Sequence, residues 1–174
     1  MIAPAEQLTD SIHALLTEGV AAYGLPAVFP PDGGIAVYRG DTMVETPIPH
    51  VAIYQAGPAK ERHVQGSGLW EIPMGAKLIL DRNGDAINQS AEDVAADMRT
   101  LSGDMEAVLT MALLVDSGDP EGASSTPEQR LTTATLHAWE VYDVEVSADT
   151  EAEGDPSCEV NFTVFCGHAG QVIY

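Results

Sequence analysis

Six apolar residues, Trp70, Ile72, Met74, Ala76, Leu78 and Leu80, occupy every second position of one stretch, with Glu71 and Lys77 between them. A period of two sends alternate side chains to opposite faces of an extended strand. The chain must therefore build a sheet with one face in a core. Cys158, Val160, Phe162, Val164 and Cys166 repeat the pattern near the C-terminus. Leu136 to Val146 repeats it imperfectly, because Glu140 falls on its apolar face. Shorter strands are expected at Ile35 to Tyr38, after the turn cluster Pro30-Pro31-Asp32-Gly33-Gly34, and at Ile48 to Gln55.

Helical spacing marks two further segments. Leu8, Ile12, Leu15, Leu16 and Val20 form the apolar stripe of a helix that stops near Tyr23-Gly24-Leu25-Pro26. Val94, Met98, Leu101, Met105, Val108, Ala112 and Leu113 mark a long helix, opened by Ser90 with Asp93 three places on and bent or split at Gly103. Ser117 to Thr126 reads as a polar loop, and Thr126-Pro127-Glu128 as the start of a short helix. Gly57 to Gly68 reads as a flexible extended loop, and 147–157 as an acidic hairpin loop. Hairpin-length connections predict an α+β fold, an antiparallel or mixed sheet packed by the N-terminal helix and the long central helix. At 174 residues the chain fits one domain, 1–174, with no linker or repeat.

The charge restricts the partners. Twenty-seven acidic residues against seven basic ones give a net charge of −20. Such a field repels nucleic-acid phosphates, so DNA is expected to pass this protein without specific binding. Hydrophobic residues make up 45%, enough for a core. The apolar run Val108 to Val115 falls far short of the roughly 20 residues of a membrane span, so no membrane partner is expected. No basic patch precedes an apolar run at the start, and the chain is expected in the cytoplasm at synthesis. On one strand, Cys158 and Cys166 would lie roughly 27 Å apart, beyond bridging, and are expected as buried thiols.

Catalytic and metal-binding patterns were weighed against plainer readings. Asp149-Thr150-Glu151-Ala152-Glu153-Gly154-Asp155 imitates a calcium loop. Its twelfth position is Val160 rather than a bidentate glutamate, and strands flank it, so a solvated hairpin tip is expected. Cys166-Gly167-His168 offers two zinc ligands with no second pair. Of the other histidines, His13 reads as a helix-surface residue, and His50 and His137 as strand residues. Gly66-Ser67-Gly68 is too short for a nucleophile elbow, and no phosphate loop is present. No catalytic residue, metal or cofactor is expected, and the chain reads as a non-enzyme.

Charge is polarised along the chain. Residues 119–159 hold eleven acidic residues against Arg130 alone. Residues 58–82 hold Lys60, Arg62, Lys77 and Arg82 against Glu61, Glu71 and Asp81. Ordinary surface variation is one reading. The functional one is that the basic loop of one subunit meets an acidic face of a neighbour, which fixes orientation.

The order of elements, with "PHVAIYQAG", a basic loop, "GLWEIPMGAKLIL", a long helix and the pair "LHAWEVYDVEV" and "CEVNFTVFCGH", resembles the tail terminator proteins of long-tailed bacteriophages. Related tail-completion and head–tail joining proteins share this outline. The resemblance spans about Leu8 to Cys166 and rests on element order and texture, with no invariant fingerprint. It implies a structural virion protein, assembled in the host cytoplasm. That protein is a cyclic homo-oligomer, typically a hexamer, which caps the tail tube and docks to the neck connector. On that expectation Lys60, Arg62, His63, Gln65 and Trp70 contact a neighbour or the tube. Asp149, Glu151, Glu153 and Asp155 line the pore or rim. The alternatives are another neck or tail-completion protein, or a small acidic module binding divalent ions or a protein.

Overall fold

A computed structural model describes residues 3–40, 47–62, 66–82, 91–115, 123–149 and 154–170. The fold is α+β, with a mixed, mainly antiparallel sheet flanked by an N-terminal helix and a long central helix. Helix α1 (Pro4–Glu18) begins with proline in its first turn, where the missing N–H costs nothing. It buries Leu8, Ile12, Leu15 and Leu16 along one stripe. Gly19 ends it at φ 71°, and a Cβ there would lie 2.2 Å from the Leu25 carbonyl oxygen, so only glycine fits this reversal.

The sheet runs β1 (Ala36–Arg39), β2 (His50–Gln55), β4 (Leu69–Ile79), β8 (Ser157–His168), β7 (Leu136–Asp149), with the two-residue β3 (Lys60–Glu61) beside the start of β4. β1 lies parallel to β2, and every other pairing in this sheet is antiparallel. Ile72, Met74, Ala76, Leu78 and Leu80 are all buried on the helix-covered face, and so are Cys158, Val160, Phe162, Val164 and Cys166. Helix α2 (Ala91–Thr110) lays Val94, Met98, Met105, Val108 and Leu109 into the same core as α1. At about 25 cal/mol per Å² of apolar surface removed from water, that shared core is the main source of stability.

The structure redraws several expected boundaries. Helix α2 is continuous through Gly103 and stops at Thr110, so Ala112 and Leu113 lie outside it. Leu113–Val115 instead forms β5, paired with β6 (Ala123–Ser125) in a separate ribbon, part of what read as a loop. The expected Ser90 cap lies outside the described residues. Helix α3 (Pro127–Leu131) starts at a full capping box, Thr126 with Gln129. The 57–68 stretch is no open loop throughout. β3 pairs with β4 inside it, the Arg62 N–H donates to the Leu69 carbonyl at 2.7 Å, and the Gly68 N–H donates to Glu61 Oε1 at 2.9 Å. The 147–157 hairpin loop is narrower than expected, because β7 runs to Asp149 and β8 starts at Ser157.

Glu140 breaks the alternation of β7 for a structural reason. The register shifts between Ala138 and Glu140, which leaves Trp139 as the extra residue of a bulge and turns Glu140 to face Phe165. A second shift, between Tyr142 and Glu145, contains Asp143 at φ 52°.

Candidate assembly surface

Helices α1, α2 and α3 contribute to one core on a single sheet face, and among the described residues no α-helix covers the other face. Side chains cover part of it instead. Gly75 leaves room for Tyr54 to lie across the strand. A Cβ at Gly75 would sit 2.6 Å from the Tyr54 ring and 2.4 Å from Asn161 Oδ1. The Tyr54 hydroxyl donates to that same oxygen at 3.1 Å. His50, 3% exposed, packs edge-on to Tyr38, with its Nδ1 2.9 Å from the Pro47 carbonyl oxygen and its Nε2 without a hydrogen-bond partner among the described residues.

The charged part of this face centres on Arg62. Its guanidinium lies 4.2 Å above the Phe165 ring, and its nitrogens approach Glu71 and Glu140 at 3.3 Å each. Trp139 packs against Phe165 with the rings tilted by 38°, at 5.4 Å between centroids, and His137 packs against Trp139 at 4.9 Å. Burial and the neighbouring Glu71 carboxylate push the Tyr142 hydroxyl up to about 12. Arg62 is thus held by partners within its own subunit. Lys60, the other expected cation, is exposed on β3 and forms no ion pair among the described residues. Trp70 is half-buried at the start of β4 and packs against the core. His63 and Gln65 lie outside the described residues.

Of the expected rim residues, Asp149 is exposed at the end of β7, and Glu151 and Glu153 lie outside the described residues. Asp155 is exposed, but its Oδ1 accepts the Arg82 N–H at 3.0 Å, while Arg82 Nε donates to the Gly154 carbonyl at 2.8 Å. A base therefore anchors one leg of the acidic tip. Among the described residues no three of His, Cys, Asp and Glu gather as metal ligands. Cys166 is fully buried, and burial pushes its thiol up to about 12, which is unfavourable for a thiolate ligand. A depression of about 290 Å³ between the Val28–Ile35 segment and α2 is lined by Val28, Phe29, Ile35, Asp97, Thr100 and Leu101 among others. These residues do not bring an acid, a base and a nucleophile together.

The free edge of β7 is divided in two. Thr132 Oγ1 accepts the Ala138 N–H at 3.1 Å, and Glu128 Oε1 accepts the Val141 N–H at 3.0 Å. Side chains from α3 and its C-cap thus occupy the first half of an edge that would otherwise template another strand. From Asp143 to Asp149 every residue is exposed, Val144 by 44% and Val146 by 41%. The sequence hinted at this plug only through the capping signal at Thr126. The contacts it makes span a stretch that periodicity does not read. No family model matches this chain, and no curated protein matches it.

Proposed function

We propose that this chain is a structural virion protein, a ring-forming tail terminator that caps the tail tube of a long-tailed phage and docks to the neck connector. The carrying observation is the half-open β7 edge. The fold closes one half with α3, while 143–149 pairs with no further strand on its outer side among the described residues, with Val144 and Val146 exposed and Asp143 and Glu145 alongside. A long open edge invites association, and a protein that has blocked half of it is selective about where a strand joins. The order of helix, strands, long helix and closing strand pair supports the terminator reading. So does the acidity, because a wall of anionic side chains lets DNA slide past without adhering.

In this reading the protein works by fit between copies, without bond chemistry. Six copies close a ring around a DNA passage, one rim blocks further tube subunits, and the other meets the connector. Native mass spectrometry and electron microscopy, on the protein alone and with purified phage tail tubes, provide the test. A cyclic homo-oligomer seated on tube ends is expected. A monomer under every condition, tubes included, overturns the proposal.

A further inference from the structure

Resting on that ring reading, we infer that the open half of β7 in one copy adds to the sheet of the next beside its β3 strand, with Glu145 facing the neighbour's Lys60. Among the described residues the sheet has a second open border, opposite β7. β1 covers β2 only along His50–Ile53. Beyond Ile53 the chain forms the outer border of β4 as far as Arg62, with Gln55, Ala56, Pro58 and Lys60 exposed along it. One border is therefore acidic and apolar, and the other offers an exposed cation without an ion pair among the described residues.

Strand directions agree with the join. β7 is antiparallel to β8, β8 to β4, and β4 to β3, so β7 runs opposite to β3. Two copies set side by side in the same sense thus meet as an antiparallel pair, the more stable arrangement per residue. The stagger agrees as well. Glu145 is level with Gly75 through Asn161, whereas Lys60 is level with Glu71. This four-residue difference shifts the neighbour by about 14 Å along the strand, against a width of about 19 Å for the four strands β3, β4, β8 and β7. The resulting tilt of roughly 36° lies within the range at which sheets close on themselves. In that position the plugged half of β7 lies past the end of the neighbour's β3, so α3 does not obstruct the pairing with Lys60–Glu61.

Joining two β7 edges to each other is disfavoured. Antiparallel pairing centred on Val146 sets Asp143 against Asp149 twice, and like charges directly opposite are destabilising. Joining β7 to β3 is heterologous, with different patches on the two partners, and heterologous contacts form a ring when the rotation between copies closes and a filament when it does not.

Charge exchange tests the join, since both residues are exposed and neither serves the core. Lys60→Glu and Glu145→Lys should each weaken assembly about tenfold in sedimentation or native mass spectrometry, with the thermal midpoint unchanged. The double variant carries both reversals and should restore assembly. In a second experiment, Lys60→Cys combined with Glu145→Cys should give intermolecular disulfide ladders on oxidation, because the native thiols are buried. Rings that form undisturbed by either single reversal, or that yield no ladder, overturn this interface and leave the ring reading standing. Monomers throughout, with tubes present, overturn both.

Discussion

Arg130 is the only base among residues 119–159, and the structure spends it inside the protein. It is 6% exposed, and its guanidinium closes the C-terminus of α2. Nε donates to the Val108 carbonyl at 2.8 Å, while Nη2 reaches the carbonyls of Ala107, at 3.3 Å, and Met111. Nη1 donates to the carbonyl and hydroxyl of Ser125 at 2.7 and 3.1 Å. The last carbonyls of a helix lack intrahelical donors and carry partial negative charge, so a buried cation there satisfies both needs. Burial itself opposes this by favouring the neutral form, which lowers the pKa of the group. Arg130→Met keeps the bulk and leaves those carbonyls without donors, and should cost about 3 kcal/mol in denaturant unfolding. Arg130→Lys should recover only part of that, because an ammonium cannot span the same fork. A loss below about 0.5 kcal/mol for the methionine variant would refute the capping role.

At the scale of elements, α3 is five residues long and yet governs the edge of a fourteen-residue strand. Glu128→Ala removes the acceptor of the Val141 N–H, so native-state hydrogen exchange at that amide should quicken about tenfold, equivalent to about 1.4 kcal/mol. Unchanged exchange would mean that solvent, not Glu128, satisfies the edge. The strands at Leu69–Ile79 and Ser157–His168 were legible in the sequence because each has one face in the core and a strict period of two. β3, β5 and β6 were not, since strands of two or three residues hold too few positions to show a period. In β7 the misplaced Glu140 was the visible trace of a bulge whose cause, Trp139, lies in the register with β8. Of the expected interface, Lys60 stands exposed as its charge suggested. Arg62 is occupied by Glu71, Phe165 and Glu140, the last 78 residues away in sequence, and such partners are invisible to local reading.

For the molecule as a whole, the balance of −20 acts on both folding and assembly. Only three ion pairs occur among the described residues, and the Arg39–Asp10 pair, at 2.8 Å, has both side chains 53% exposed. Exposed pairs of that kind contribute little, about 0–1 kcal/mol each. With 27 acidic residues against seven basic ones, repulsion among the carboxylates is expected to outweigh local attraction, and it is long-ranged at low salt. The Debye length falls from about 30 Å at 0.01 M to about 3 Å at 1 M, short of the distance across a sheet of this size. Raising sodium chloride from 10 mM to 500 mM should then increase the thermal midpoint by several degrees. A chain held together by surface ion pairs would instead lose stability over the same range. The Glu145–Lys60 contact between copies is local and attractive, and salt weakens it, while the general repulsion between subunits relaxes in the same solution. Assembly should accordingly pass through a maximum at intermediate salt, whereas the folding midpoint rises throughout. Sedimentation and calorimetry on one salt series separate the two curves, and a folding midpoint that falls with salt would show that self-repulsion is not the dominant electrostatic effect in this protein.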